Sequence, residues 1–232
     1  MIKTLLFCLL VASTSASAAV IAKSKEVLQA QDVVETEEDR KVEFFRAVKV
    51  DNADAITRLL DAGFEPNYVE EERGDSGLML AIRENCPSVI KVLLANGKTN
   101  LEVKAKNGDN ALMLAAYKGN LAVVKALIAR GAQVNRPDWT ALHYAAYMGH
   151  QEIVSLLLEH SAYIDAEAPN KNTPIMMAAL AGHIYVVKLL LDEGADATLK
   201  NDRGFTAMDL AIQGKHKDIV EGLQFRLNQA AK

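Results

Sequence analysis

The sequence predicts an all-α protein built from about six repeated pairs of helices. Two observations carry that expectation. One short pattern returns five times, beginning at Ser76, Asn110, Thr140, Thr173 and Thr206, at separations of 34, 30, 33 and 33 residues. After each of the first four copies, valine and leucine recur at helical spacing, in residues 89–94, 123–128, 153–158 and 186–191. A period in this range marks a supersecondary unit that buries its apolar face only against neighbouring units.

Each element follows from local chemistry. Thr140, Thr173 and Thr206 stand where a first helix begins, and a hydroxyl there caps the free N–H groups. Pro174 suits the first helical position, where an N–H is dispensable. The pairs Ala115-Ala116, Ala145-Ala146 and Ala178-Ala179 let two helices approach closely. Gly119, Gly149 and Gly182 end those helices in a left-handed turn, with Asn85 as the substitute in the second unit. The valine and leucine helices supply the stacked core. The end units are altered, as caps of an array should be. Residues 42–67 lack the first pattern but keep Ile56-Thr-Arg-Leu-Leu60, and the last helix carries Gln224, Arg226, Asn228 and Gln229.

Ahead of this array, residues 1–18 form a secretory signal pattern: Lys3, an apolar run of eight from Leu5 to Ala12, and Ala16-Ser17-Ala18 at the cleavage site. Eight apolar residues fall short of the ~20 that span a bilayer. Leu6-Phe7 are too bulky for lipoprotein processing at Cys8. The expected location is the periplasm. Residues 19–41 are a charged leader, partly disordered, whose run Glu35-Thr-Glu-Glu-Asp-Arg-Lys41 has no apolar period. Residues 42–232 form the repeat domain.

Composition narrows the function. The full chain has 232 residues, half of them hydrophobic, and a net charge of −4, or −5 without residues 1–18. That apolar content excludes a disordered polyampholyte, and the negative balance excludes a basic nucleic-acid binder. Cys8 and Cys86 are the only cysteines, so a disulfide framework is excluded. Once the signal is removed, Cys86 is alone, and burial is its expected state.

The motifs Thr140-Ala-Leu-His-Tyr-Ala-Ala146, Ile153-Val-Ser-Leu-Leu-Leu158 and Gly131-Ala-Gln-Val-Asn135 resemble the ankyrin repeat, and the resemblance covers residues 42–232. It implies an α-solenoid of six helix-turn-helix units with short β-hairpin fingers between them. It also implies that His143, His150, His183 and His216 are framework residues bonding between neighbouring loops. His160 closes a helix, where positive charge is favourable. No Cys/His cluster has zinc spacing, and no Gly-x-Ser-x-Gly elbow, Walker loop or dinucleotide fingerprint occurs. The expectation is a protein without catalysis, cofactor or metal, and a monomer on its own.

In ankyrin repeats the fingers and the exposed side of each first helix line a concave groove. The positions between Ala-Ala and the closing glycine carry Tyr117-Lys118, Tyr147-Met148 and Leu180-Ala181. The sole tryptophan, Trp139, stands on a finger with Arg136 and Asp138. Tyr, Trp and Met are enriched in interface cores. The expected partner-binding residues are therefore Trp139, Tyr117, Lys118, Tyr147, Met148, Leu180, Arg136 and Asp138. From Gly131 to Thr140 is only nine residues, against twelve from Ser161 to Thr173 and from Gly194 to Thr206, and thirteen from Gly97 to Asn110. The short finger should open a notch in the groove. The plainer explanation is drift in a tolerant loop, with the aromatic side chains folded back on their own repeats.

Size, export signal and a single solenoid make the chain similar to exported bacterial ankyrin proteins of the self-protection type. Those sit on a cell-wall-cutting peptidase and block its groove, so the expected partner is a periplasmic hydrolase, for instance a peptidoglycan DD-endopeptidase. The alternative is a scaffold that stabilises a periplasmic stress-defence enzyme such as a catalase. No nucleic acid and no membrane span are expected.

Overall fold

Twelve helices, in six consecutive pairs, occupy the computed structural model, which describes residues 36–230. The signal pattern at 1–18 and leader residues 19–35 lie outside the described residues. The pairs are α1 (Glu37–Lys49) with α2 (Ala53–Asp61), α3 (Gly77–Glu84) with α4 (Pro87–Ala95), and α5 (Ala111–Lys118) with α6 (Leu121–Ala129). They continue with α7 (Ala141–Met148) and α8 (Gln151–Glu159), α9 (Pro174–Ala181) and α10 (Ile184–Asp192), and α11 (Ala207–Gln213) and α12 (Lys217–Ala230). From Lys41 onward the chain is one compact unit. From α3 to α11 the first helices stack side by side in one row, and from α2 to α12 the second helices stack in another.

The charge run before residue 42 is not featureless. Thr36 caps α1, its hydroxyl accepting from Asp39 N–H at 3.1 Å while Thr36 N–H donates to the Asp39 carboxylate at 3.0 Å. Glu37, Glu38 and Asp39 fill the first turn, where negative charge suits the helix dipole.

Ser76, Asn110, Thr140 and Thr206 cap their helices as expected, accepting from the N–H three residues on. Thr173 does not. Its hydroxyl is buried without a partner, and its N–H turns to the Met176 sulfur at 3.4 Å. The equivalent N–H of Thr140 reaches His143 Nδ1 at 3.2 Å and that of Thr206 reaches Asp209 at 2.8 Å. A thioether is the weakest of these acceptors. At α4 the cap position is Cys86, which is buried as expected and makes no side-chain cap bond. Burial pushes its thiol pKa up. Asp51 of the preceding pair serves instead, accepting from Val89 N–H at 2.9 Å and Ser88 N–H at 3.3 Å.

Packing is tightest along the first-helix row. Ala115, Ala116, Ala145, Ala146, Ala178 and Ala179 are fully buried, as are Leu127, Leu157 and Leu190 on the second row. Gly119 has φ +73°, and a Cβ there would lie 2.5 Å from the His150 ring, so this glycine serves both the turn and the stacking of the next unit.

Side chains also lock the units in register. Asn67 accepts from Asn100 N–H and donates to the Lys98 carbonyl. Asn135 repeats this with Tyr163 N–H and the Ser161 carbonyl. Glu102 and Asp165 occupy the same place but only accept, from Gln133 N–H and Asp196 N–H. This register puts Lys98, not Gly97, opposite Ser161. The extra residue of the second unit therefore lies in the turn after α4, and its finger has ordinary length.

The fingers are turns rather than extended hairpins, and among the described residues the one β-bridge pairs Val69 with Ser76. Three close with equal span: Ala105 N–H to Asp109 C=O, Ala168 to Asn172 and Asn201 to Phe205. The first finger spans one residue more, Glu70 N–H to Asp75 C=O.

Candidate partner-binding surface

The expected surface residues gather around α5, α7 and the short finger. Tyr117 and Tyr147 stand in the last turns of α5 and α7 and are 41% and 40% exposed. Lys118 is exposed beside Tyr117, while Met148 and Leu180 are half-buried. The Tyr117 carbonyl accepts from His150 Nε2 at 3.2 Å, and the Leu180 carbonyl from His216 Nε2 at 3.1 Å. Two of the framework histidines thus fix the backbone beneath residues expected to face a partner.

Trp139 is half-buried. Its ring meets the His143 ring edge-on at 5.3 Å and lies 6.1 Å from Tyr144, which in turn meets Tyr117 edge-on at 5.9 Å. Tyr117, Tyr144 and Trp139 therefore form one connected cluster with Tyr144 at its centre, and Tyr147 stands outside it. Sequence reasoning missed Tyr144, although the residue after His143 in the repeated motif was available to find it. The Tyr144 hydroxyl donates to Asp109 Oδ1 at 2.7 Å. Burial, with that carboxylate beside it, pushes the phenol pKa well up, so Tyr144 stays a donor.

Arg136 lines the notch at the short finger but is tied back by an ion pair. Its side chain is only 9% exposed and lies 3.2 Å from Glu102. It pins the short finger to the preceding unit. Asp138 is exposed at the turn, in the left-handed region at φ +70°.

The expected notch is present. A cavity of about 370 Å³ lies where the finger is shortened, walled by Lys104, Asn107 and Asp109 of the preceding finger, Trp139 of the short finger and Pro169 of the following one. The first finger, with its acid run Glu70-Glu71-Glu72, is not among the walls of this cavity. Glu70 folds onto its own loop, accepting from Glu72, Arg73 and Asp75 N–H groups. Asp75 is fully buried against Arg83 at 2.6 Å. A second, apolar groove of about 280 Å³ lies between α10 and α12, where Phe225 is exposed and no further pair follows among the described residues. No group of three or more His, Cys, Asp or Glu among the described residues is arranged to hold a metal. No helix among them is long and apolar enough to cross a membrane.

A family profile described as ankyrin repeats (3 copies) matches residues 44–138, 78–168 and 162–229. The chain belongs to the ankyrin-repeat family. Among similar proteins, the ankyrin repeat and KH domain-containing protein mask of Drosophila melanogaster is 40% identical over 98 residues, which is 41% of this chain and 2% of that protein. The transient receptor potential cation channel subfamily A member 1 homolog of Caenorhabditis elegans is 26% identical over 81% of this chain and 13% of its own length. Human SH3 and multiple ankyrin repeat domains protein 2 is 32% identical over 73% of this chain and 8% of its own. The chain spans a small part of each of these relatives. An ankyrin-repeat array of this kind is a protein-interaction module, and the cluster around Tyr144 keeps Tyr117 and Trp139 partly exposed, with Trp139 walling the notch.

Proposed function

We propose that this ankyrin-repeat protein is an exported, non-catalytic module that grips a partner protein through the face built by Tyr117, Tyr147 and Trp139. One observation carries the reading: three large aromatic side chains from two adjacent units and their shared finger stay partly exposed, and Trp139 among them walls the notch. A solvent-only face would carry lysine, glutamate and glutamine there. Export is supported by the signal pattern of residues 1–18, and an exported chain would meet its partner in the periplasm. Similarity in size and layout to exported self-protection proteins favours a cell-wall-cutting hydrolase held inactive. Stabilisation of a stress-defence enzyme is the alternative.

Affinity capture from periplasmic extract, with the parent chain and a Tyr117→Ala/Tyr147→Ala variant side by side, tests the surface. The expected result is a partner retained by the parent and lost by the folded variant. Equal capture by both would place the interface elsewhere. Adding the chain to the captured enzyme then separates the two roles: a fall in turnover is inhibition, and a longer half-life with unchanged turnover is support.

A further inference from the structure

The fingers are joined to one another through their backbones. Lys106 N–H donates to the Arg73 carbonyl at 2.8 Å, and Asp202 N–H donates to the Asn170 carbonyl at 3.2 Å. Both bonds share one register. The donor stands four residues before a helix cap, Asn110 or Thr206, and the acceptor three residues before the preceding cap, Ser76 or Thr173. Applied to the short finger, this register names the groups it would have used. Its N–H would donate to the Asn107 carbonyl, and residue 169 would donate back to it. Residue 169 is proline, which has no N–H to give. Among the described residues no donor reaches the Asn107 carbonyl. The missing finger thus leaves one acceptor open and strands no donor, so both walls match the vacancy.

Charge in the vacancy is unbalanced. Arg136 is neutralised by Glu102. The buried Asp109 carboxylate accepts only from neutral groups, Tyr144 Oη at 2.7 Å and Asn107 Nδ2 at 2.6 Å. Arg83 lies near enough to feel Asp109 but is bound to Asp75. Neither Asp109 nor Asp138 forms an ion pair with a described residue. Against these two carboxylates Lys104 is the one lysine in the lining, which Trp139 shares.

We propose that the vacancy receives a reverse turn of the partner protein with an arginine at its tip. This rests on the reading of the aromatic face as the binding surface. A turn N–H takes the open Asn107 carbonyl, and the guanidinium lies against Trp139 beside Asp109 and Asp138. Arginine suits the place better than lysine because its planar fork both stacks on an indole and pairs with carboxylates. A turn suits it better than a strand, since Pro169 ends any ladder. The volume is also near the floor of the ~300–1,000 Å³ typical of small-ligand pockets.

Trp139 is the only tryptophan, so its fluorescence reports this site directly. The probe is a head-to-tail cyclic hexapeptide with one arginine at its turn, titrated into the full chain, with the citrulline peptide as its neutral isostere. A saturable change in Trp139 emission is expected, with affinity about tenfold or more weaker for citrulline. Asp138→Asn, which retains the left-handed turn, should weaken the arginine peptide about fivefold. Inserting three residues between Pro137 and Asp138 restores the common finger length and should abolish the response in a chain whose circular dichroism and melting temperature show it folded. Equal response to both peptides, no saturable change up to about 10 mM, or an undiminished response after the insertion overturns the proposal. Should the captured partner be lost by Tyr147→Ala yet tolerate the insertion, the face stands and the vacancy does not. Indifference to Tyr147→Ala sinks the wider reading itself.

Discussion

Arg136 and Glu102, 34 residues apart in sequence, meet at 3.2 Å and close the short finger onto the unit before it. Glu102 stands where Asn67 and Asn135 bridge neighbouring units, and it keeps the accepting half of that bridge with Gln133 N–H at 2.8 Å. An acid in that place brings a charge that asparagine lacks. Its second oxygen takes Arg136 and Asn110 Nδ2. The shortened finger and the acid therefore belong together. Arg136 is 9% exposed at its side chain and Glu102 29%. Glu102→Ala, which strands the more buried charge and two further donors, should cost about 2 kcal/mol or more, and Arg136→Ala about 1 kcal/mol. Denaturant unfolding of both variants checks the order; the reverse order would mean that Arg136 holds the finger by packing alone.

Asp165 shows what happens without such an arginine. It accepts from Asp196 N–H at 3.1 Å but, unlike Asn67 and Asn135, has no N–H to donate to a carbonyl of the next unit, and Asp196 repels it. Burial, chiefly, raises its carboxyl pKa. For an acid, a raised folded value means that the folded chain binds the proton more tightly than the unfolded chain. The penalty is then present above that value and fades as pH falls through it. Asp165→Asn should stabilise by about 1 kcal/mol at neutral pH. Melting curves at neutral and acid pH should show the gain shrinking in acid.

His143 gives the opposite sign. Its Nε2 faces the Asn172 carbonyl at 2.9 Å, which can only accept, so Nε2 carries the proton and Nδ1 accepts from Thr140 N–H at 3.2 Å. Burial pushes its pKa from 6.5 down to about 4. As pH falls, the unfolded chain is protonated first, so stability is full above about 6.5 and declines toward 4. Between pH 7 and pH 5, where few carboxylates titrate, His143 should account for a loss of about 2 kcal/mol. His143→Gln should flatten that part of the stability–pH curve; an unchanged slope would assign the effect to another group.

Two glycines with the same backbone sign separate strain from space. Gly149 has φ +76° and a Cβ there would lie 2.5 Å from the His183 ring, whereas Gly194 has φ +96° and open space. Gly194→Ala should cost about 1 kcal/mol, the left-handed strain alone. Gly149→Ala should cost about 2–4 kcal/mol, since it must also displace the ring that stacks the next unit. Equal melting shifts would show that the histidine ring yields freely.

The helix pairs were legible because caps, alanine pairs and closing glycines are local signals repeated in register. The cap at Thr36 was equally local and was masked by the charge of the run around it. Tyr144, the Glu102–Arg136 pair and the place of Lys98 were not legible in the same way. Each depends on which residue of one unit faces which residue of the next, and units of unequal length shift that register. Thr173 illustrates a further limit. The residue type for a cap is present, but the thioether of Met176 replaces the imidazole or carboxylate found at the equivalent caps, and the hydroxyl turns inward.

The aromatic face yields the last prediction, because its members do not cost the same to remove. Trp139 packs on His143 and Tyr144, so Trp139→Ala loses core contact together with surface. Tyr147 is 40% exposed, and the ring contacts around Tyr144 run through Tyr117 and Trp139 without it. Tyr147→Ala should therefore lower partner affinity by about 2 kcal/mol, roughly thirtyfold, if it anchors the interface. It should lower stability by less than about 1 kcal/mol, as a surface change does. Leu157→Ala is the opposite control: fully buried, it should cost about 2–5 kcal/mol of stability and leave the affinity of the folded fraction unchanged. Lys171→Ala, an exposed charge on the next finger, should move neither by more than about 0.5 kcal/mol. Affinity and melting temperature measured on the same four proteins decide the matter. Affinity that falls only in step with stability would show the aromatic face to be packing, while loss of affinity in Tyr147→Ala at an unchanged melting temperature would mark it as the surface that meets the partner.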